Sequence, residues 1–215
     1  LIFDNREYDP SRLQGSGTLF SARLSPYVGL EVNGCNTEQK LYVGFDVVKD
    51  FGDVTSFSGR RLLREVSFWY SYNRRYRNDS EFTMTAGIFP RTIQKEEWSE
   101  IFFSREKVWN DHNLEGLLLQ WSNRKARIEM GCDWMGMYGA TPSTREQFMI
   151  YSAGHYSPAD FITLGYNAYG MHFACSEEVI GVVDNILAEP YVRFDFQKLT
   201  GGVQELSARL GYIQA

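Results

Sequence analysis

The sequence predicts an all-β fold, an antiparallel up-and-down transmembrane β-barrel forming a single domain over residues 1–215. Three observations predict it. Apolar residues recur at every second position in one segment after another, the period of a strand and not of a helix. Phe, Tyr and Trp number 15, 13 and 5, with 19 glycines among 215 residues, a composition suited to strands, turns and membrane interfaces. The positions between the apolar ones carry charges of both signs mixed with glycine, as in a crowded lumen.

The elements follow in order. In Gly17 to Ser25, Thr18, Phe20, Ala22 and Leu24 share one face and Ser21 and Arg23 the other, until Pro26 breaks the run. Val28, Leu30 and Val32 then oppose Gly29, Glu31 and Asn33, and Asn33-Gly34-Cys35-Asn36 reads as a turn. The next strand sets Leu41, Val43, Phe45 and Val47 against Lys40, Tyr42, Gly44 and Asp46. A polar stretch from Lys49 to Arg64 is long enough to be a surface loop.

Alternation resumes with Val66, Phe68, Tyr70 and Tyr72, crosses a polar turn at 74–80, and returns in Phe82, Met84, Ala86 and Ile88. Residues 91–113 lose the period, and a short helix is expected around Lys95 to Phe103 within a long loop. Leu117, Leu119 and Trp121, then Ala126, Ile128, Met130, Cys132 and Trp134, make another hairpin about Asn123-Arg124. Further strands are expected at about Glu146 to Ala153, Phe161 to Phe173, Tyr191 to Leu199 and Leu206 to Ile213. The total is about eleven strands. Short connections favour a meander over a Greek key.

Charge and cysteine content narrow the function. The net charge is -5 and no basic run exceeds two residues, so the footprint of a nucleic-acid binder is missing. Cys35, Cys132 and Cys175 form no C-x-x-C pair. The start, Leu1-Ile2-Phe3 followed by polar residues, has neither a basic segment nor an apolar core of a leader, so an export signal is expected to have been removed or to lie outside these residues.

Alternation alone does not separate a membrane barrel from a soluble sandwich, because both place apolar residues on one face of each strand. The polar face favours the barrel. Arg23, Glu31, Asp46, Glu65, Glu81, Arg91, Arg127, Glu129, Asp133, Arg193, Asp195 and Arg209 are the candidate pore-lining residues, interleaved with Gly29, Gly44, Gly87, Gly131 and Gly211.

Short motifs point the same way. Phe3-Asp4-Asn5-Arg6-Glu7-Tyr8, Gly17 to Pro26, Lys49-Asp50-Phe51-Gly52, Gly87-Ile88-Phe89-Pro90-Arg91, Asn113-Leu114-Glu115-Gly116 and Asp133-Trp134 occur in an order that resembles the porin-like outer-membrane β-barrels of Bacteroidota. The resemblance implies the outer membrane of a Gram-negative bacterium and a channel-like role, and it supplies no catalytic residues. Members of that family run longer and end on an aromatic residue, whereas these residues end Tyr212-Ile213-Gln214-Ala215. An odd strand count is also unusual for a closed bacterial barrel. The chain is therefore expected to be part of a larger barrel, with an intact mass above that of 215 residues.

Each group that could serve a catalytic or metal site also has an ordinary structural role. Asp111 and His112 are adjacent, so on a strand they would face opposite sides and could cooperate only in a loop. His155, next to Tyr156, reads as a strand-end residue. His172 and Cys175 make only two ligands, too few for a closed zinc site. Pro90 ends a strand, and the loop after it either folds over the pore with Arg91 facing inward or forms an ordinary external loop anchored by Ile93 and Trp98.

The function expected is a passive pore for small polar solutes, not an enzyme, with no cofactor, metal or catalytic residue. Its partners would be outer-membrane lipids, small polar solutes, and partner proteins or further barrel strands, with no nucleic acid. The alternatives are a soluble β-sandwich that binds glycans through exposed Trp and Tyr, and a barrel-embedded hydrolase.

Overall fold

A computed structural model describes residues 1–6, 17–52, 62–139, 141–197 and 206–214. The described residues form twelve strands: β1 (Ile2–Arg6), β2 (Gly17–Leu24), β3 (Tyr27–Asn33), β4 (Thr37–Asp50), β5 (Leu63–Arg75), β6 (Glu81–Pro90), β7 (Asn113–Ser122), β8 (Ala126–Gly136), β9 (Gln147–Ala159), β10 (Ile162–Phe173), β11 (Val183–Asp195) and β12 (Ser207–Gly211). They belong to one up-and-down sheet in the order β1-β2-β4-β5-β6-β7-β8-β9-β10-β11-β12, with β3 also paired to β4. Every pairing with a recorded register is antiparallel.

The all-β expectation holds. The strand beyond the eleven expected is β1, and β11 begins at Val183, ahead of the expected start at Tyr191. The Glu7-Tyr8 end of the opening motif, much of the loop expected across Lys49 to Arg64, and the end of the strand expected to reach Leu199 lie outside the described residues.

Packing separates the chain into two compact units. The first comprises Leu1–Leu30 with Leu41–Phe68, the second Glu31–Lys40 with Trp69–Ala215. In the first, Arg23 pairs with Asp46 at 3.0 Å, and Ser21 Oγ donates to Asp50 Oδ1 at 2.6 Å. Phe20 stacks on Phe51 with centroids 4.4 Å apart.

Burial is inverted relative to a soluble protein. In β4, Gly44, Asp46 and Val48 are buried while Val43 and Phe45 are exposed, and in β8, Glu129, Gly131 and Asp133 are buried while Ile128, Met130 and Trp134 are exposed. A sandwich would bury its apolar face between two sheets. Phe45 is instead 44% exposed and Phe194 38%, which removes the glycan-binding sandwich. An apolar outer face over a polar inner one is the arrangement of a sheet built against hydrocarbon.

In the second unit, connections alternate in length. Those at 76–80, 123–125 and 160–161 are short, and those at 91–112, 137–146 and 174–182 are long. The segment 91–112 holds a 3-10 turn (Arg91–Ile93) and the helix α1 (Arg105–Asn110). The helix expected at Lys95 to Phe103 is absent. That stretch is irregular because it spends its backbone and side chains on the sheet: the Lys95 amide bonds Glu129, and Trp98 and Phe103 pack on Tyr151. The helix starts where Ser104 caps it, its Oγ accepting from the Lys107 amide at 3.1 Å.

Candidate functional site

The polar face of the second unit carries Arg127, Glu129, Asp133, Arg193 and Arg209, five of the twelve residues expected to line a pore, and the segment 91–112, which supplies Arg91, packs against it. Arg91, buried with its side chain 1% exposed, pairs with Asp133 and, at 2.6 Å, with Asp111. Burial opposes the guanidinium charge, but Asp133 and Asp111 outweigh it and hold the pKa above its ordinary value. Glu129 accepts from Lys95 N at 2.9 Å, Trp98 Nε1 at 2.8 Å and Gln120 Nε2 at 3.0 Å. Arg193 reaches Glu97 at 2.6 Å, and Asn167 Nδ2 donates to the Glu97 carbonyl at 3.2 Å. Arg209 bonds Asn167 at 2.8 Å and Glu189 at 3.1 Å.

The remaining expected residues fall elsewhere. Glu81 bonds Asn73 and lies 4.0 Å from Lys95. Glu65 and Asp195 are half-buried. Glu31 departs from the expectation: β3 is exposed along its whole length, and Glu31 meets Asn33 and Lys40 at the surface. The loop after Pro90 is held to the polar face of the sheet, with Arg91 buried against Asp133.

Three constellations could do chemistry. A cavity of about 320 Å³ is lined by Lys107, Asp111, Asn113, Glu115, Asp133, Trp134 and Met135. Two of its carboxylates already face cations, because Asp111 and Asp133 share Arg91 and Lys107 lies 3.0 Å from Asp111. This also means that the Asp111 carboxylate is directed at Arg91 and Lys107. His155 Nδ1 lies 2.9 Å from Oε2 of Glu96, a residue of the segment 91–112 whose side chain is only 2% exposed. Burial, opposed by His155, raises the Glu96 pKa.

The third constellation lies on the apolar face. Trp134, Phe148, His172 and Asp184 are successive cross-strand partners on β8, β9, β10 and β11. Trp134 stacks on Phe148 with centroids 5.6 Å apart, Phe148 stacks on His172 at 4.8 Å, and His172 Nδ1 meets Asp184 Oδ1 at 2.7 Å. The pair stands at the ends of β10 and β11 next to the long connection 174–182. Asp184 fixes one ring nitrogen and leaves Nε2 directed away from it, the arrangement of a general base with its orienting carboxylate. Both side chains are accessible, whereas Glu96 is covered.

Sequence reasoning weighed His172 only with Cys175, three residues away. The signal that finds its partner is the register of the last long hairpin, which sets His172 opposite Asp184 across twelve residues of chain. Among the described residues no group of three or more His, Cys, Asp or Glu is arranged to hold a metal ion.

A family model described as lipid A 3'-O-deacylase-type matches residues 2–172, 171 of the 215 residues. No curated protein and no solved structure matches the chain. The family match overturns the porin-like assignment, and with it the passive-pore function and the expectation that the protein is not an enzyme. An open lumen and a polar sheet face covered by a loop call for the same mixture of charges, so the sequence of the strands does not distinguish them.

Proposed function

The chain belongs to the lipid A 3'-O-deacylase-type family, and we propose that it is a membrane-embedded hydrolase that removes an ester-linked fatty acyl chain from a lipid A-type glycolipid. The observation that carries the assignment of the site is the His172–Asp184 pair on the apolar face. An acyl ester sits at the boundary between hydrocarbon and headgroup, and an aromatic row such as Trp134 and Phe148 is the usual marker of that boundary.

Orientation supports the same reading. Bacterial barrels have short turns on the periplasmic side and longer loops outside. The pair lies at the end with the long connections, the side of the outer leaflet, where lipid A is held. On this reading the protein resides in the outer membrane of a Gram-negative bacterium, its apolar face against lipid.

The reaction needs a water, a base and an ester. His172 Nε2 takes a proton from water as the water oxygen bonds to the ester carbonyl carbon. The tetrahedral intermediate then collapses, the bond to the sugar oxygen breaks, and that oxygen takes the proton from His172. The products are a fatty acid and the deacylated lipid. Asp184 acts as a positioning residue: it accepts a hydrogen bond from the Nδ1–H, fixes the tautomer and stabilises the imidazolium.

The test is hydrolysis of lipid A in mixed micelles, read by mass spectrometry as loss of one acyl chain with release of the fatty acid. His172→Gln is expected to lower kcat by about 10²–10⁴, and Asp184→Asn to lower it less while shifting the pH profile. Wild-type turnover in His172→Gln, or loss of turnover in His155→Gln alone, would overturn the assignment.

A further inference from the structure

Below the His172–Asp184 pair, the apolar face has a gap. Gly170 is the next outward residue of β10, and its cross-strand neighbours are Ile150 on β9 and Ile186 on β11. Ile150 and Ile186 are both well exposed. A Cβ added at Gly170 would meet no atom within 4 Å. The following outward residue, Ala168, lies between Ser152 and Ala188. A strip of minimal side chains therefore runs down β10 from His172, with an isoleucine on each side at its upper end.

The strip is closed at depth. Tyr166, the next outward residue, has its hydroxyl 2.9 Å from Ser152 Oγ. Ser152 Oγ donates to the Glu129 carbonyl at 3.0 Å, so the Tyr166 hydroxyl donates to Ser152. From His172 to Ala168 is four residues, about 14 Å of strand, and to Tyr166 about 20 Å.

We propose that this channel, floored by Gly170 and Ala168 and walled by Ile150 and Ile186, seats the fatty acyl chain whose ester lies at His172 and sets the chain length that is accepted. The inference rests on the deacylase reading of His172. The occupant follows from continuity: the channel starts at the His172–Asp184 pair, is apolar at its upper end, and runs along the strand toward the hydrocarbon. A chain lying there would replace loose lipid contacts with a fixed path, and that path would hold the ester carbonyl against Nε2.

The site can be filled without disturbing the fold, because space at Gly170 is open and replacing glycine within a strand adds packing area. Gly170→Leu is therefore expected to retain wild-type resistance to thermal unfolding. Its kcat/KM for a tetradecanoyl ester should fall by about tenfold or more, while that for a butanoyl ester stays within about twofold. Binding of tetradecanoate to the His172→Gln protein, measured by NMR in micelles, should weaken when Gly170→Leu is added.

The outcomes are separable. If the wild type hydrolyses the long ester and Gly170→Leu keeps the same chain-length profile, the channel is wrong and the deacylase reading stands. If Gly170→Leu weakens tetradecanoate binding but the wild type hydrolyses neither ester, the channel stands and the deacylase reading fails. Equal loss on both esters in a stably folded Gly170→Leu protein would also overturn the channel.

Discussion

Tyr151 lays its ring against Gly131, the residue directly opposite it in the β8–β9 ladder, so closely that a Cβ at Gly131 would enter the ring. The ring has little freedom to retreat, since Tyr151 is 1% exposed and packs edge-on to Trp98 at 5.5 Å and Phe103 at 5.8 Å. Tyr191 covers Gly165 in the same way on β10 and β11. Gly131→Ala is expected to destabilise the fold by about 1–3 kcal/mol through overpacking. Gly170→Ala, on the open side of the sheet, should be close to neutral, and denaturant unfolding in micelles distinguishes the two.

Arg placed at an outward mid-strand position should be costly for a different reason. Phe45→Arg, Met84→Arg and Phe194→Arg each put a cation on the apolar face, at about 2–4 kcal/mol where the position lies at the bilayer midplane. Reversible unfolding in lipid vesicles gives the cost. A change near zero for all three would contradict a hydrocarbon-facing surface.

Arg91→Met leaves Asp133, with a side chain 3% exposed, without its buried cation. Removing one member of a buried ion pair costs about 3–5 kcal/mol. The segment 91–112 is expected to become sensitive to limited proteolysis, and adding Asp133→Asn should restore part of its resistance.

The pH dependence of that segment follows from Glu96. Burial raises its carboxyl above the ordinary 4.5, with the hydrogen bond and charge of His155 opposing it. A carboxyl raised in the folded state binds more protons there than in the unfolded chain. Its stabilising contribution is complete below the unfolded value and is lost as pH rises through the folded one. Resistance of the segment to proteolysis should therefore decline as pH rises from 4.5 through the raised value of Glu96, and Glu96→Gln should flatten that slope.

The strands were legible because alternation is a local property. Phe20 with Ser21, Phe45 with Asp46, and Ile128 with Glu129 each announce two faces within two residues, and burial follows that division. The inserted segment was not legible, because its fold depends on distant partners and not on period. Nothing near Glu97 in the chain indicates that it will meet Arg193, and no spacing rule joins His172 to Asp184 until the hairpin register is known. The family, too, is not legible there, since the short strand motifs describe the two faces of a sheet and are silent about chemistry on them.

The inserted segment also constrains the order of assembly. Glu96 binds His155, 59 residues downstream, while Glu97 meets Asn167 through its carbonyl and Arg193 through its carboxylate, 70 and 96 residues downstream. A nascent chain adding hairpins from its N-terminal side would hold β6 and β7 long before those partners exist. Loop-closure entropy makes such long-range contacts late ones. Residues 91–112 are therefore expected to lock only after β9, β10 and β11 have formed.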